Sequence, residues 1–211
     1  TQNDDALLTI TNKLIGEHGS ISAVATDTIL SNHQKVFVTK GTIPYPKLWS
    51  PEHPYLYTLE TWFHLKQSDG SVFHYLGDSR KVGIRSIRFD SDQGFFLNDI
   101  PTLIKGVCVH HDAGCLGAAV HPAVWRRRLE KLKIMGCNAI RMSHNPHMPE
   151  LYDLCDSMGF LVMDEAFDEW EAPKNKWSAG HNIYPPKHQG YYLDFPMWHE
   201  QDLTALIRKN R

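Results

Sequence analysis

At 211 residues, with 42% hydrophobic and 11% aromatic residues, the chain has room for one large or two small globular domains and an ordinary apolar core, which excludes a disordered or low-complexity protein. Its formal net charge of −2 gives no basic footprint for nucleic acid and no polybasic segment for a membrane surface, so a small neutral or weakly charged ligand is the easier partner. No apolar stretch approaches the ~20 residues of a membrane span, and the polar opening Thr1-Gln2-Asn3-Asp4-Asp5 is no signal peptide.

From about residue 5 to 88 the pattern has period two. Leu8 and Ile10, then Ile21, Ala23 and Ala25, then Val36 and Val38, then Tyr57, Leu59 and Thr61 predict short antiparallel strands. Asp69-Gly70, between Phe63-His64-Leu65 and Val72-Phe73-His74-Tyr75, is a hairpin signal because Gly accepts the positive φ of a tight turn. Several such strands in so short a stretch predict a β-sandwich. Pro44, Pro46, Pro51 and Pro54 around Trp49 remove backbone donors, so residues 43–54 should connect strands rather than form one, with the Trp as a packing anchor.

After about residue 89 the order becomes strand, helix, strand, helix, strand, helix. A small hairpin at Phe95-Phe96-Leu97-Asn98-Asp99-Ile100 precedes an apolar strand over 103–109. A helix over 122–135 starts on Pro122, stops at Gly136 and turns Trp125, Leu129, Leu132 and Met135 inward. A second, over 149–158, starts on Pro149, stops at Gly159 and buries Leu151, Leu154, Cys155 and Met158. Strands are expected at 139–142 and 160–163. This alternation favours parallel βαβ units. The helix-to-strand joins are short, whereas the strand-to-helix joins are long and rich in His, Asp, Glu and Asn, which places chemistry at the C-terminal strand ends, as in a (β/α)8 barrel. The rival doubly wound sheet lacks a Gly-x-Gly-x-x-Gly or phosphate loop after any strand. Cys108, Cys115, Cys137 and Cys155 are spaced neither as a zinc site nor as a disulfide scaffold and are expected to be mostly buried thiols.

Three strand ends deliver polar groups to one rim: His110-His111-Asp112, Ser143-His144-Asn145, and Asp164-Glu165 followed by Asp168-Glu169. Adjacent His110 and His111 point to opposite strand faces, which weakens a metal-dependent hydrolase built on His110, His144 and Asp164. Arg141, inside a strand, needs a partner, and Asp164 or Glu165 on the next strand is the natural one. That pair is either structural or part of a site, and His144 either bonds a ligand hydroxyl or braces its loop.

Several of these stretches resemble glycoside hydrolase family 2. Leu48-Trp49-Ser50-Pro51-Glu52-His53-Pro54-Tyr55-Leu56-Tyr57 and Val82-Gly83-Ile84-Arg85 are similar to the family's immunoglobulin-like domain and its exit. Phe96-Leu97-Asn98 and Ile104-Lys105-Gly106-Val107 resemble the entry into its barrel. Asn138-Ala139-Ile140-Arg141-Met142-Ser143-His144-Asn145-Pro146, continuing to Asp156-Ser157-Met158-Gly159-Phe160-Leu161-Val162-Met163, resembles the first family signature, with Met142 in place of a small residue and Asn145 where Tyr is common. Asp164-Glu165-Ala166-Phe167-Asp168-Glu169-Trp170 and the run from Gly106 to Gly114 look most like β-galactosidases of gut Bacteroidetes.

The resemblance implies an immunoglobulin-like β-sandwich over 1–88 followed by the N-terminal portion of a (β/α)8 TIM barrel over 89–211. It implies glycone contacts from His110 and His144, a site organised by Arg141 and supported by Asp164 and Glu165, and a retaining exo-β-glycosidase acting on terminal β-D-galactosides. β-Glucuronidase or β-mannosidase activity, or a non-catalytic carbohydrate-binding module, are the alternatives. Glu169 aligns with a magnesium-binding Glu of some β-galactosidases, but Glu171 stands where the partner His would be. Glycoside hydrolysis needs two carboxyls about 5 to 10 Å apart, and adjacent Asp164 and Glu165 diverge. Lys209-Asn210-Arg211 resembles the opening of the second family signature, so both catalytic Glu residues are expected beyond Arg211. Such a fragment should be inactive alone, and should self-associate or lose order past residue 165. A carbohydrate substrate is implied, with no nucleic acid or membrane partner, and the compartment stays open between bacterial periplasm and cytoplasm.

Overall fold

The computed structural model describes residues 6–29, 33–172, 176–178, 181–183 and 190–210. The chain divides into two compact units, Thr1–Thr102 and Leu103–Arg211. Among the described residues no helix is long and apolar enough to cross a membrane.

In the first unit, strands β1 (Ala6–Gly16), β2 (Gly19–Ile29), β3 (Tyr57–Gln67) and β4 (Val72–Val82) form an antiparallel sheet in the order β2-β1-β3-β4. The register aligns Ala25, Ile10, Phe63 and Tyr75 in one row across all four strands, and period two keeps such a row on one face. The hairpin between β3 and β4 turns where expected. There Gly70 takes φ +86°, and the Asp69 carboxylate accepts from Ser71 N–H at 2.8 Å.

The strand expected around Val36 and Val38 does not form. Residues 33–43 are irregular, with Val36 and Val38 largely exposed, because alternation without a neighbouring strand supplies neither ladder bonds nor a surface to bury. The segment is tied down by side chains instead, Asn12 Nδ2 donating to Thr39 Oγ1 at 2.9 Å.

Trp49, 2% exposed, is the packing anchor expected of it. Its N–H donates to the Ile84 carbonyl at 2.8 Å, and its own carbonyl accepts from Asn98 Nδ2 at 3.0 Å. Asn98 and Asp99 both take positive φ in the tight turn between β6 (Gly94–Leu97) and β7 (Ile100–Pro101), which pair with β5 (Ile87–Asp90) in a small antiparallel sheet. The Trp49 bonds therefore join that sheet to the chain leaving β4.

The second unit is built of βα repeats. Strands β8 (Gly106–Val109), β9 (Ala139–Met142) and β10 (Leu161–Asp164) run parallel in sequential order, separated by helices α1 (Pro122–Ile134) and α2 (Pro149–Met158). The first strand starts three residues later than expected, with Leu103 and Ile104 exposed. The third is shifted by one. Both helices begin on proline, and the His121 ring caps α1 by accepting from Ala123 N–H. Gly159 ends α2 in the left-handed region at φ 73°, a conformation that a Cβ would oppose.

One helix-facing core joins these elements: Trp125 and Leu129 from α1, Ile140 and Met142 from β9, Leu151, Leu154 and Cys155 from α2, and Phe160. Met135, expected inward, caps α1 and is 73% exposed, because the helix has ended and its side chain has passed beyond the sheet. Only Cys155 of the four thiols is buried, while Cys108 and Cys115 are exposed. For Cys108 the cause is its place on the strand face away from the helices. Buried Asn138 accepts from Lys105 N–H at 2.7 Å and donates to the Leu103 carbonyl at 2.9 Å, which pins the chain entering β8 to the start of β9.

Beyond β10, strands β11 (Lys176–Ser178) and β12 (His181–Ile183) pair antiparallel, and α3 spans Phe195–Asn210. The loss of order expected past residue 165 falls partly on residues outside those described.

Leu129, fully buried between α1 and the sheet, tests this core. Leu129→Ala should cost about 2–5 kcal/mol of stability, read as a lowered urea midpoint for the second unit followed by tryptophan fluorescence. An unchanged midpoint would show that the βα core does not limit unfolding.

Candidate functional site

Strand pleating sorts the side chains of the parallel sheet into two sets. Ile140 and Met142 turn into the helix-facing core, so Arg141 between them projects from the other face, in register with Cys108 on β8 and Met163 on β10. Glu165, one residue past β10, has the same parity as Met163 and reaches that face too. The Arg141 guanidinium forms an ion pair with one Glu165 oxygen, and His144 Nδ1 donates to the other at 2.7 Å. Of the two carboxylates expected to serve Arg141, Glu165 is the partner.

Asp164, of opposite parity, accepts from the Tyr152 hydroxyl of α2 at 3.0 and 3.1 Å and from Asn210 Nδ2 at 2.6 Å. The adjacent carboxylates thus diverge, one toward the helices and one toward the rim. His110 lies with the rim group, its ring edge-on to His144 with centroids 5.3 Å apart. His111 goes the other way. It donates from Nε2 to Asn145 Oδ1 at 2.8 Å and stacks on His147 at 3.8 Å.

The electrostatics follow from these contacts. Burial pushes the Glu165 carboxyl up, but hydrogen bonds from His144 and Arg141 and their charges outweigh it and hold the group below its usual range. The Arg141 hydrogen bond, at 3.4 Å, also lowers the Cys108 thiol. Burial, with the Asp164 charge beside it, pushes the Tyr152 hydroxyl up to about 12, so it stays a protonated donor to Asp164. With Nδ1 occupied by Glu165, His144 has Nε2 left for another partner. Arg141, His144 and His110 therefore offer donors and ring nitrogens around one fixed carboxylate, an arrangement suited to a polyhydroxylated ligand.

Glu169 is buried. A magnesium ion requires several oxygen ligands, and among the described residues no group of three His, Cys, Asp or Glu side chains gathers to hold a metal. The described residues therefore supply Glu169 with no such ligand group. His110, His144 and Asp164 likewise do not converge, because Asp164 is drawn to Tyr152.

His147 and Tyr152 carry no mark in the sequence that would single them out. His147 sits between prolines where no periodicity marks it, yet it is 3% exposed. Its Nδ1 donates to the Asn145 carbonyl at 3.1 Å, its backbone N–H donates to the Tyr152 hydroxyl at 3.3 Å, and its ring meets Trp125 at 5.8 Å. The one available signal was its neighbourhood, two residues from a turn that has to seat His144.

Known proteins share both the sequence and the fold. The sequence profile of glycosyl hydrolases family 2 matches residues 1–85, and that of the family 2 TIM barrel domain matches residues 90–193. The chain is 46% identical over 176 residues to the β-galactosidase BoGH2A of Bacteroides ovatus, a match covering 83% of this chain and 19% of that protein. It spans about a fifth of that relative's length. Among solved structures, a family 2 glycosyl hydrolase from Bacteroides cellulosilyticus superposes with a TM-score of 0.73 at 30% identity, covering all of this chain and 25% of the other. The Bacteroides uniformis β-glucuronidase 2, solved covalently bound to cyclophellitol-6-carboxylate aziridine, gives 0.76 at 27% identity, over 99% of this chain and 23% of that one.

Burial, and then the nearby His111, hold the His147 imidazole below its ordinary value. The unfolded ring takes a proton near pH 6.5 while the folded ring resists it to lower pH. The unfolded state therefore binds more protons in that window, and stability falls on acidification. The urea midpoint should drop from about pH 7 to about pH 5 more steeply in the native chain than in His147→Gln. Equal slopes would remove His147 as the cause.

Proposed function

The chain belongs to glycosyl hydrolase family 2, and from that membership we propose that it serves a retaining exo-β-glycosidase acting on terminal β-D-galactosides, with the rim at the C-terminal ends of β8–β10 as part of the glycone site. The observation that carries this reading is the Arg141–Glu165–His144 cluster on the strand face opposite the helix-packed core, with His110 beside it. In this reading His144 and His110 bond glycone hydroxyls and Arg141 orients them, while Glu165 holds both Arg141 and His144 in place. Asp164 supports the rim from behind by fixing α2 through Tyr152.

Retaining hydrolysis proceeds through a covalent glycosyl intermediate and needs an acid/base carboxyl and a nucleophilic one facing each other about 5–5.5 Å apart. Glu165 is committed to Arg141 and His144, and Asp164 to Tyr152 and Asn210. The proposal therefore assigns neither catalytic carboxylate to the described residues, whose part is to bind and orient. Galactoside as substrate is supported by the 46% identity to the Bacteroides ovatus β-galactosidase. A β-glucuronide is the second reading, favoured by the likeness to the Bacteroides uniformis β-glucuronidase 2.

The matched ranges 1–85 and 90–193 support a domain division near 88/89, whereas the compact units part later, at Thr102/Leu103, and keep the β5–β7 sheet with the first. Strands β8 and β10 each have a single strand neighbour among the described residues, which supports self-association through a sheet edge.

The test is hydrolysis of chromogenic β-D-galactoside, β-D-glucuronide and β-D-mannoside by the 211-residue chain and by a longer family 2 protein containing it. The longer protein should prefer the galactoside, and the chain alone should show no turnover. His144→Ala and Arg141→Gln in the longer protein should each lower kcat/KM by about 10²-fold or more. Turnover by the chain alone at the rate of the longer protein would overturn the assignment of roles, and preference for the glucuronide would select the second reading.

A further inference from the structure

The first unit carries a cavity of its own. At the end of the four-stranded sheet, the β1–β2 turn and the chain around residues 43–47 line an open cavity of about 290 Å³. Tyr45, Tyr55 and Tyr57 contribute its aromatic surface, and Glu17, His18 and Lys47 its charged and titratable groups.

The parts are held in place. Glu17 N–H donates to the Tyr55 hydroxyl at 2.7 Å, and Lys47 N–H donates to the Tyr57 hydroxyl at 2.8 Å. The two rings meet edge to face, centroids 4.9 Å apart. Tyr57 lies so close to Gly16 that a Cβ there would come within 2.7 Å of the ring, so the close approach depends on that glycine. Glu17 and Lys47 form an ion pair, and the Lys47 ammonium sits 5.1 Å from the Tyr55 ring centroid. Tyr45 contrasts with these braced tyrosines. It is 99% exposed on a backbone with φ +52°, a region that non-glycine residues seldom occupy.

We infer that this cavity is a saccharide-binding site, separate from the proposed glycone site, that takes one neutral pyranose ring. The charges favour this occupant. Glu17 and Lys47 cancel, so an ionised ligand meets no net field and must compete with the existing pair. Sugar hydroxyls can instead donate to the carboxylate and accept from the ammonium while the pair stays intact. The exposed Tyr45 ring offers a face for the C–H side of a pyranose. The volume of about 290 Å³ lies just under the range of ligand pockets, roughly 300–1,000 Å³, which suits a single ring rather than an oligomer. A nucleotide would bring its phosphates against Glu17. The inference stands on the cavity alone and does not depend on the glycosidase reading.

The test titrates the 211-residue chain with methyl β-D-galactopyranoside and methyl β-D-glucopyranoside while following the backbone amides of Gly16, Glu17 and Lys47 by NMR. Saturable shifts with Kd on the order of 1 mM are expected for at least one sugar. Tyr45→Ala, which removes a fully exposed ring and should leave the remaining amide spectrum in place, should weaken binding about fivefold or more. Lys47→Gln should weaken it as well, and His144→Ala should leave it unchanged. Absence of shifts at these amides with either sugar would overturn the proposal, as would binding that survives both Tyr45→Ala and Lys47→Gln. Shifts confined to residues 141–165 and abolished by His144→Ala would support the glycone site and overturn this one.

Discussion

The second unit is organised by a charge in the middle of a strand. Arg141 lies between Ile140 and Met142, both buried against α1 and α2, and strand period two forces the guanidinium out of the opposite face. A cation there needs a nearby anion, because a partly desolvated charge without one is costly. The neighbouring strand supplies it one residue past its end, at Glu165. That single pairing fixes the direction of the β10 exit and gives His144 its acceptor, while the β8–β9 register sets Cys108 beside the guanidinium. Glu165 and, through it, His144 are thus oriented by the placement of Arg141.

The joins explain why the placement is accurate. Cys137 N–H donates to the Leu132 carbonyl and Phe160 N–H to the Cys155 carbonyl, so each helix closes onto the next strand within a residue or two. Asn138 then locks the start of β9 to the chain entering β8. With the N-terminal strand ends held this way, errors in register do not propagate to the C-terminal ends. The longer strand-to-helix segments are free to differ in sequence, and they hold their shape by stacking, as His111 does on His147, rather than by ladder bonds.

How much of this the chain declared in advance depended on periodicity. The two βα helices and the β3–β4 hairpin were legible because proline starts, glycine stops and alternation all pointed the same way. Val36 and Val38 misled because alternation records an amphipathic segment without recording whether a partner strand lies beside it. Met135 misled because the 3.6-residue period was carried one residue past Ile134, where the helix ends. At the rim, Arg141 was legible as a charge needing a partner, but two adjacent carboxylates competed for it. Only the pleat, which sends Asp164 to Tyr152 and Glu165 to Arg141, decides between them. His147 and Tyr152 were invisible because their role depends on the loop closing back on α2.

The two proposed sugar sites use one physical solution. Sugars are neutral and heavily hydrated, so a free charge in the site would attract water and ions at least as well as it attracts the ligand. A charge already paired keeps its remaining hydrogen-bonding capacity but loses much of its field. Arg141 with Glu165 and His144 is one such group, and Glu17 with Lys47 is another. Aromatic edges and faces stand beside both pairs, His110 at the first and the tyrosines at the second. They add apolar surface to which water is a poor competitor. The sites differ in what holds the pair. At the rim it is strand parity and a shared carboxylate, a fixed geometry suited to orienting a reacting sugar. At the sheet end it is tyrosine hydroxyls bonded to backbone N–H groups on an open turn. That geometry suits a site that retains a sugar without having to orient a bond for cleavage.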